Sequence, residues 1–263
     1  MDLTERLAFA DKTARDAGSF AHEKFAALES LTVESKGHHD LVSQADRDTE
    51  TLIRTAIAKA WPDDGIVGEE HERVQRTTGF DWIIDPIDGT ANYLAGIPHW
   101  CVVIACAHHG EPVVGVIFDP NTGEMFSASK GGGAFVNGKP MRVSTAKTLS
   151  DGSTGAGVSG LTDRAKATAM VGEILSSGGM FFRSASGALM LAYVASGRLI
   201  GHIENYMNSW DCFAALLMIR EAGGDYAAFD HEAAVLNGTH VVAGNPDILV
   251  LLDSMHTRIF GDG

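Results

Sequence analysis

Trp82-Ile83-Ile84-Asp85-Pro86-Ile87-Asp88-Gly89-Thr90 is the stretch on which the reading of the chain turns. Trp82 and two β-branched isoleucines carry the chain to Asp85. Pro86 fixes φ and biases the residue before it towards an extended conformation, so a buried strand is expected to end at Asp85. Two carboxylates then emerge where the strand surfaces. Gly89 lets backbone approach a ligand closely, and Thr90 adds a hydroxyl at the start of a short helix through Ala91 and Asn92, whose free N–H groups suit an anion. Carboxylates, a carbonyl and a hydroxyl are the hard oxygen ligands magnesium takes when it bridges protein carboxylates to substrate phosphate. The plain structural alternative is an Asp-rich turn whose side chains bond only nearby backbone.

A site with more than one ion needs carboxylates from separate segments, and two other stretches supply them. Ile66-Val67-Gly68-Glu69-Glu70 reads as a short strand leading into paired glutamates. Ser209-Trp210-Asp211 opens a helical run that ends at Glu221-Ala222-Gly223-Gly224. Together these three stretches resemble the inositol monophosphatase family, the lithium-sensitive, magnesium-dependent phosphatases. Gly-Glu-Glu, Asp-Pro-Ile-Asp-Gly-Thr and Trp-Asp with Glu-Ala-Gly-Gly downstream stand in the family's order. The match extends from Lys36 and Asp46 to Arg183 and Glu204, and so covers nearly the whole chain.

The resemblance implies an α/β fold, the layered αβαβα sandwich of the inositol monophosphatase and fructose-1,6-bisphosphatase type. It implies one phosphatase domain over residues 1–263, with subdomains of roughly 1–147, carrying the metal motifs, and 148–263 on the substrate side. By the same resemblance Glu69, Asp85 and the Ile87 carbonyl hold one Mg2+ ion, and Asp85, Asp88 and Asp211 hold a second. Glu69 also reaches a weaker third, giving two or three ions per site. Asp46 is placed beside Thr90 as a proton relay from the attacking water, with Glu69 in the same catalytic set. Substrate contacts fall to Asp88, Gly89, Thr90, Arg183, Ala188, Glu204 and Asp211.

Read without the resemblance, Asp46 is an acidic residue in a helix's first turn, favoured by the macrodipole, and Glu204 is a solvated charge at a strand end. In the family, the carboxylate seven positions before the Trp-Asp aspartate accepts hydrogen bonds from substrate hydroxyls. Arg183-Ser184-Ala185-Ser186-Gly187-Ala188 resembles the Arg-Ser-x-Gly-Thr-Ala loop with Ser186-Gly187 where Gly-Thr is usual, a departure that bears on the hydroxyl contact at this loop. The interval from Glu69 to Asp85 is shorter than in animal members and implies a trimmed loop beside the site.

The implied activity is hydrolysis of a small polyol phosphate, inositol 1-monophosphate above all, in a homodimer. Histidinol phosphate, fructose 1,6-bisphosphate and phosphoadenosine bisphosphate phosphatases share the metal motifs and remain alternatives. From a different class, the chain could be a regulatory binding protein of transcription complexes. The intact acidic set and Thr90 favour catalysis over a scaffold.

Composition sets the limits around these readings. With 263 residues, 45% hydrophobic and 21% charged, the chain can bury a sizeable core. A formal charge of −14 argues against nucleic-acid binding, which favours a basic surface. It also means that an anionic substrate needs a locally positive site, which bound metal can supply. Cys101, Cys106 and Cys212 lack metal-ligand spacing and read as buried reduced thiols, which suits a cytoplasmic protein. No signal peptide is expected at Met1-Asp2-Leu3-Thr4-Glu5-Arg6, and no apolar run reaches membrane-spanning length.

Along the chain, Leu3, Leu7, Ala10, Ala14, Ala17, Ala21, Phe25 and Leu28 describe an amphipathic helix. A strand at Leu31–Lys36, a turn at His38-His39 and a helix from Ser43 to Ala60 follow. Antiparallel strands are expected at 100–107, 113–118 and 124–129. Gly133 to Lys139 matches most of a P-loop, but Pro140 replaces the hydroxyl residue and Asn137-Gly138 reads as a hairpin turn. Gly155-Ala156-Gly157-Val158-Ser159-Gly160 fits the dinucleotide fingerprint, yet no apolar strand precedes it, so it is expected to be a loop. The later half alternates: helices near 163–175, 187–196, 210–222 and 246–256, and strands near 180–183, 199–204 and 241–243.

Overall fold

The computed structural model describes residues 3–28, 33–37, 40–75 and 77–261, with backbone only for 33–37 and 40–43. His38, His39 and Leu31 lie outside the described residues. The first layer is built from α1 (Thr4–Phe25), the antiparallel pair β1 (Val33–Gly37) and β2 (Asp40–Ser43), and α2 (Gln44–Ala60). The alanine stripe of α1 is fully buried at Ala10, Ala14, Ala17 and Ala21, and lets the helix lie close on its sheet.

That sheet has seven strands in the order β3 (Gly65–Gly68), β4 (Phe80–Asp88), β5 (Cys101–His108), β6 (Glu111–Asp119), β7 (Glu124–Ser129), β8 (Gly133–Val136) and β9 (Lys139–Pro140). Only β3 and β4 are parallel; the rest form a meander. Asn137 and Gly138 have φ of 47° and 75°, the left-handed pair a two-residue hairpin requires, so the P-loop-like stretch is a turn. A short helix, α3 (Thr90–Leu94), follows β4.

A second sheet of five strands has the order β11 (Met180–Phe182), β10 (Ser153–Ala156), β12 (Gly201–Met207), β14 (Thr239–Gly244) and β13 (Asp225–Tyr226). Between the two sheets lie α5 (Gly187–Ala195) and α6 (Ser209–Glu221); α4 (Arg164–Ser176) and α8 (Pro246–Phe260) cover the outer face of the second sheet, and α7 (His231–Asn237) packs beside α6. The order of layers is therefore αβαβα. Period-2 alternation shows how β5 serves two cores: Val102, Ile104 and Cys106 face α1 and α2, while Cys101, Val103, Ala105 and Ala107 face α5 and α6. Helix α6 has no polar face over Cys212–Ile219 because it is covered on all sides.

Three expectations need correction. Strand β4 does not stop at Asp85: it runs on to Asp88 across a register shift in which Asp85 pairs with Val103 and Asp88 with Cys101. The bulge takes Pro86 out of the regular ladder, where its missing N–H would cost a hydrogen bond. The stretch taken for a loop at 155–160 begins as a strand, since Ser153–Ala156 forms β10 between β11 and β12; its small residues hid it. No helix opens at its glycines, and α4 starts only at Arg164. Helix α8 also runs one turn past His256, to Phe260.

Candidate active site

Residues three apart on a regular strand face opposite ways. The bulge in β4 adds one residue between Asp85 and Asp88, and the two carboxylates converge with that of Asp211, all three offering oxygens within 4.8 Å of one another. Asp85 is 2% exposed and Asp88 7%. The Ile87 N–H, donating at 2.9 Å, fixes Asp85 Oδ1, while the Ile87 side chain is buried against Ala21, Tyr93 and Trp100.

Asp211 arrives from the first turn of α6, where Asn208 caps the helix and donates its backbone N–H to Asp211 Oδ2 at 3.2 Å. Asp88 is held from the other side by the start of α5. Ser186 Oγ and the Ala188 N–H donate to Oδ2, the latter at 2.9 Å, and the Gly187 N–H donates to Oδ1 at 3.1 Å. Ser186 thus supplies a hydroxyl one residue before the position where the family's loop has one.

Burial pushes the Asp85 carboxyl well above the usual carboxylate range, and the charges of Glu69, Asp88 and Asp211 push it further. Asp211 is pushed up to about 8, first by burial and then by Asp88. Asp88 is raised by burial, but the donors from Ser186, Ala188 and Gly187 hold it down in part. Buried carboxylates that repel one another and offer only oxygen form a donor set that fits a hard divalent cation. The cluster can hold a metal ion.

Thr90 opens α3 behind Gly89, whose φ of 99° is strained for any residue with a side chain and whose neighbours His99 O and Ser186 Cβ would crowd one. Thr90 Oγ1 lies 3.2 Å from Asp46 Oδ1 and 3.1 Å from Ile87 O. Asp46 is fully buried in the first turn of α2, behind the Thr90 hydroxyl that donates to it. Glu69 follows β3 and lines the same opening.

Two adjoining cavities, of about 190 and 1070 Å³, meet at Glu69, Asp88 and Asp211. The smaller is walled by Asp85, Ile87, Gly89 and Thr90; the larger by Arg183, Glu204, Tyr206 and Trp210 among others. Arg183 donates to Val158 O at 3.2 Å and stands at the wall. Ala188 is fully buried and borders neither cavity; its N–H serves Asp88 instead. Reading the sequence missed Glu50, which is fully buried and accepts the Glu70 N–H at 2.7 Å and the His71 N–H at 3.2 Å, tying down the turn after Glu69. Its one sequence signal is Arg54, four residues on, which donates to it at 2.6 Å.

The model of the inositol monophosphatase family matches residues 2–259. An inositol-1-monophosphatase of Rhizobium meliloti is 40% identical over 245 residues, covering 92% of each chain. The Nus factor SuhB of Xylella fastidiosa is 42% identical over 216 residues, 81% of this chain and 78% of that one. The crystal structure of the extragenic suppressor protein suhB of Bartonella henselae superposes with a TM-score of 0.90 at 33% identity, covering 96% of this chain and 98% of that one. The chain belongs to the inositol monophosphatase family.

Proposed function

We propose that the protein is a magnesium-dependent phosphomonoesterase acting on a small polyol phosphate, with inositol 1-monophosphate as its substrate. The observation that carries this is the convergence of Asp85, Asp88 and Asp211 beside a Thr90–Asp46 pair that opens onto the cavity. Glu69, Asp85 and the Ile87 carbonyl would hold one ion; Asp85, Asp88 and Asp211 would hold a second, and Glu69 a weaker third. Bound magnesium supplies Lewis-acid chemistry: it offsets phosphate charge, acidifies water and stabilises a departing alkoxide.

The chain's own groups do the rest. A hydroxyl has one hydrogen: as the Thr90 oxygen accepts a proton from an attacking water, its own proton passes to the Asp46 carboxylate, which holds it as the acid. The N–H groups of Gly89 and Thr90, at the start of a helix, bind phosphate oxygens. Glu204 accepts hydrogen bonds from substrate hydroxyls, Arg183 contacts the substrate from the wall of the larger cavity, and Asp211 contacts it where the two cavities meet.

We read residues 1–263 as one phosphatase domain, with 1–147 carrying the seven-stranded sheet and most metal ligands, and 148–263 the substrate wall. No helix of the described residues is long and apolar enough to cross a membrane, and the buried free thiols of Cys101, Cys106 and Cys212 suit the cytoplasm. A homodimer would find an apolar face at edge strand β11, where Met180 and Phe181 are exposed beside Leu175.

Phosphate release from inositol 1-phosphate, histidinol phosphate, fructose 1,6-bisphosphate and phosphoadenosine bisphosphate, each with and without magnesium, tests the reading. Magnesium-dependent turnover with inositol 1-phosphate preferred supports it; no turnover of any of the four would overturn it. The Nus factor name of the Xylella relative favours a second reading, a regulatory binding protein of transcription complexes. Retention of the purified protein by an assembled transcription complex, undiminished in a catalytically dead variant, would establish that reading.

A further inference from the structure

Gly155 and Gly157, two glycines of the stretch that mimics a dinucleotide fingerprint, lie beneath two side chains of the neighbouring strand. A Cβ on Gly155 would stand 2.7 Å from His202 Nδ1, and a Cβ on Gly157 would stand 1.7 Å from Glu204 Oε2. Strand β10 pairs Gly155 with His202 in β12. His202 and Glu204, two residues apart, project from one face of that strand. Any side chain at either glycine would expel one of them, so the glycines make room for this pair.

The two residues differ in what they reach. Glu204 is 8% exposed and lines the larger cavity, whereas His202 is fully buried behind it. His202 Nε2 lies 3.4 Å from Glu204 Oε2, and among the described residues His202 is the only basic side chain within ion-pair distance of that carboxylate. Both ring nitrogens are buried and neither makes a hydrogen bond in this geometry, Nε2 standing near Oε2 without being aligned on it. A buried N–H without an acceptor is costly, and Oε2 is the acceptor within reach.

We propose that His202 is a positioning residue that sets substrate specificity, given the phosphatase reading above, on which this rests. A small turn of the ring or of the carboxylate lets Nε2–H donate to Glu204 Oε2, 3.4 Å away, and hold the carboxylate so that Oε1 faces the cavity. With one oxygen engaged from behind, Glu204 presents a single, partly satisfied acceptor. Such an acceptor suits a neutral hydroxyl and is a weak partner for an ammonium, which gains most from a free carboxylate. The pair therefore selects polyol phosphates over amino-alcohol phosphates.

The test compares kcat and KM of wild type, H202L, H202Q and E204Q for inositol 1-phosphate, histidinol phosphate and 4-nitrophenyl phosphate, whose leaving group carries no further hydroxyl. In H202L the KM for inositol 1-phosphate should rise about tenfold, as expected for losing a hydrogen bond to a charged acceptor, while kcat falls far less. Its kcat/KM relative to 4-nitrophenyl phosphate should fall about tenfold, as should its preference over histidinol phosphate. H202Q retains an N–H donor and should restore the KM. In an E204Q background H202L should add nothing, because His202 acts through Glu204. If H202L does not fold, H202N, too short to reach Glu204, carries the same expectation.

A KM that rises equally for 4-nitrophenyl phosphate, a loss that H202Q does not restore, or full additivity with E204Q would overturn the proposal. So would a wild-type substrate ratio in H202L. A wild type that hydrolyses none of the three with magnesium would overturn the phosphatase reading itself, and with it this one.

Discussion

Thr90 Oγ1 and Asp46 Oδ1 lie 3.2 Å apart, joining the first residue of α3 to a buried carboxylate 44 positions earlier in the chain. Asp46 is fully buried and borders neither cavity, whereas Thr90 borders the smaller one, so a relay from a bound water to Asp46 would run through that hydroxyl. Thr90→Ala should lower kcat by about 10²–10⁴-fold with little change in KM, the range for positioned general-base assistance. Asp46→Asn should lower kcat by a similar factor, and the double variant should lose less than the product of the two. Steady-state kinetics at saturating magnesium decide this; full additivity would mean the two do not act as one relay.

Asp85 stands at the centre of the acidic cluster, flanked by Asp88, Asp211 and Glu69. Asp85→Asn removes the charge expected to bridge two ions. Turnover should collapse while the circular dichroism spectrum is retained, and Asp88→Asn and Asp211→Asn should behave alike. Lithium in the millimolar range should inhibit the wild type by taking a magnesium position with half the charge. Near-normal turnover by Asp85→Asn at limiting magnesium would exclude its role as a ligand.

The same cluster should make stability depend on pH in a definite direction. Folding raises the pKa values of Asp85 and Asp88, and that of Asp211 to about 8, all above their ordinary value near 3.8. Groups shifted upward bind protons more tightly in the folded state. Their stabilising contribution is therefore complete at low pH and is lost as pH rises, for Asp211 up to about 8. Metal-free protein should melt at a lower temperature at pH 8 than at pH 5.5, and magnesium should raise the melting temperature more at pH 8. A magnesium effect that is equal at both values would contradict the charge cluster as the cause.

Ser186 Oγ, with the Gly187 and Ala188 N–H groups, holds the Asp88 carboxylate at the start of α5. Removing the hydroxyl in Ser186→Ala removes the largest of the interactions that keep the Asp88 pKa down. Protons should then compete better with metal. Half-saturation by magnesium should rise several-fold at pH 6.5 and approach the wild-type value at pH 9. An equal deficit at every pH would point to a loss of geometry instead.

How much of this could be read from residues follows from what each signal reports. The hydrophobic runs of β4 and β5 and the stripe of α1 announce themselves because apolar periodicity is a local property. So do the three acidic stretches. Strand β10 stayed hidden because Ser153, Thr154, Gly155 and Ala156 have no apolar pattern; Gly155 leaves room for His202, and Gly157, just past the strand, for Glu204. The bulge at Pro86 was hidden because proline signals only that a regular ladder stops, while the partner strand β5 decides whether pairing resumes. Glu50 could not be singled out because its partners, the Glu70 and His71 N–H groups, belong to a turn about twenty residues away and carry no side-chain signature.

Glu50 also provides the furthest-reaching test of how the site is assembled. Its buried carboxylate accepts from Arg54 Nε, Glu70 N and His71 N, and His71 Nδ1 stands 3.3 Å away. The turn that carries Glu69 is thus fastened to α2, the helix that also carries Asp46. Gly68 is shaped to this contact, since a Cβ there would lie 2.4 Å from Glu50 Oε1. Glu50→Gln keeps the volume but turns one oxygen into a donor facing other donors, so the turn should loosen and Glu69 should bind metal less well. Half-saturation by magnesium should rise about tenfold, while kcat at saturating magnesium recovers to within a few-fold, the size of effect seen when outer-shell partners are lost. Glu50→Ala should in addition lower stability by about 1–3 kcal/mol, because the Glu70 and His71 N–H groups and the half-buried Arg54 Nε lose their acceptor. Gly68→Ala should reproduce the Glu50→Gln magnesium profile by displacing the same carboxylate. If both variants were destabilised but kept wild-type magnesium dependence, Glu50 would be a fastening of the fold with no bearing on Glu69.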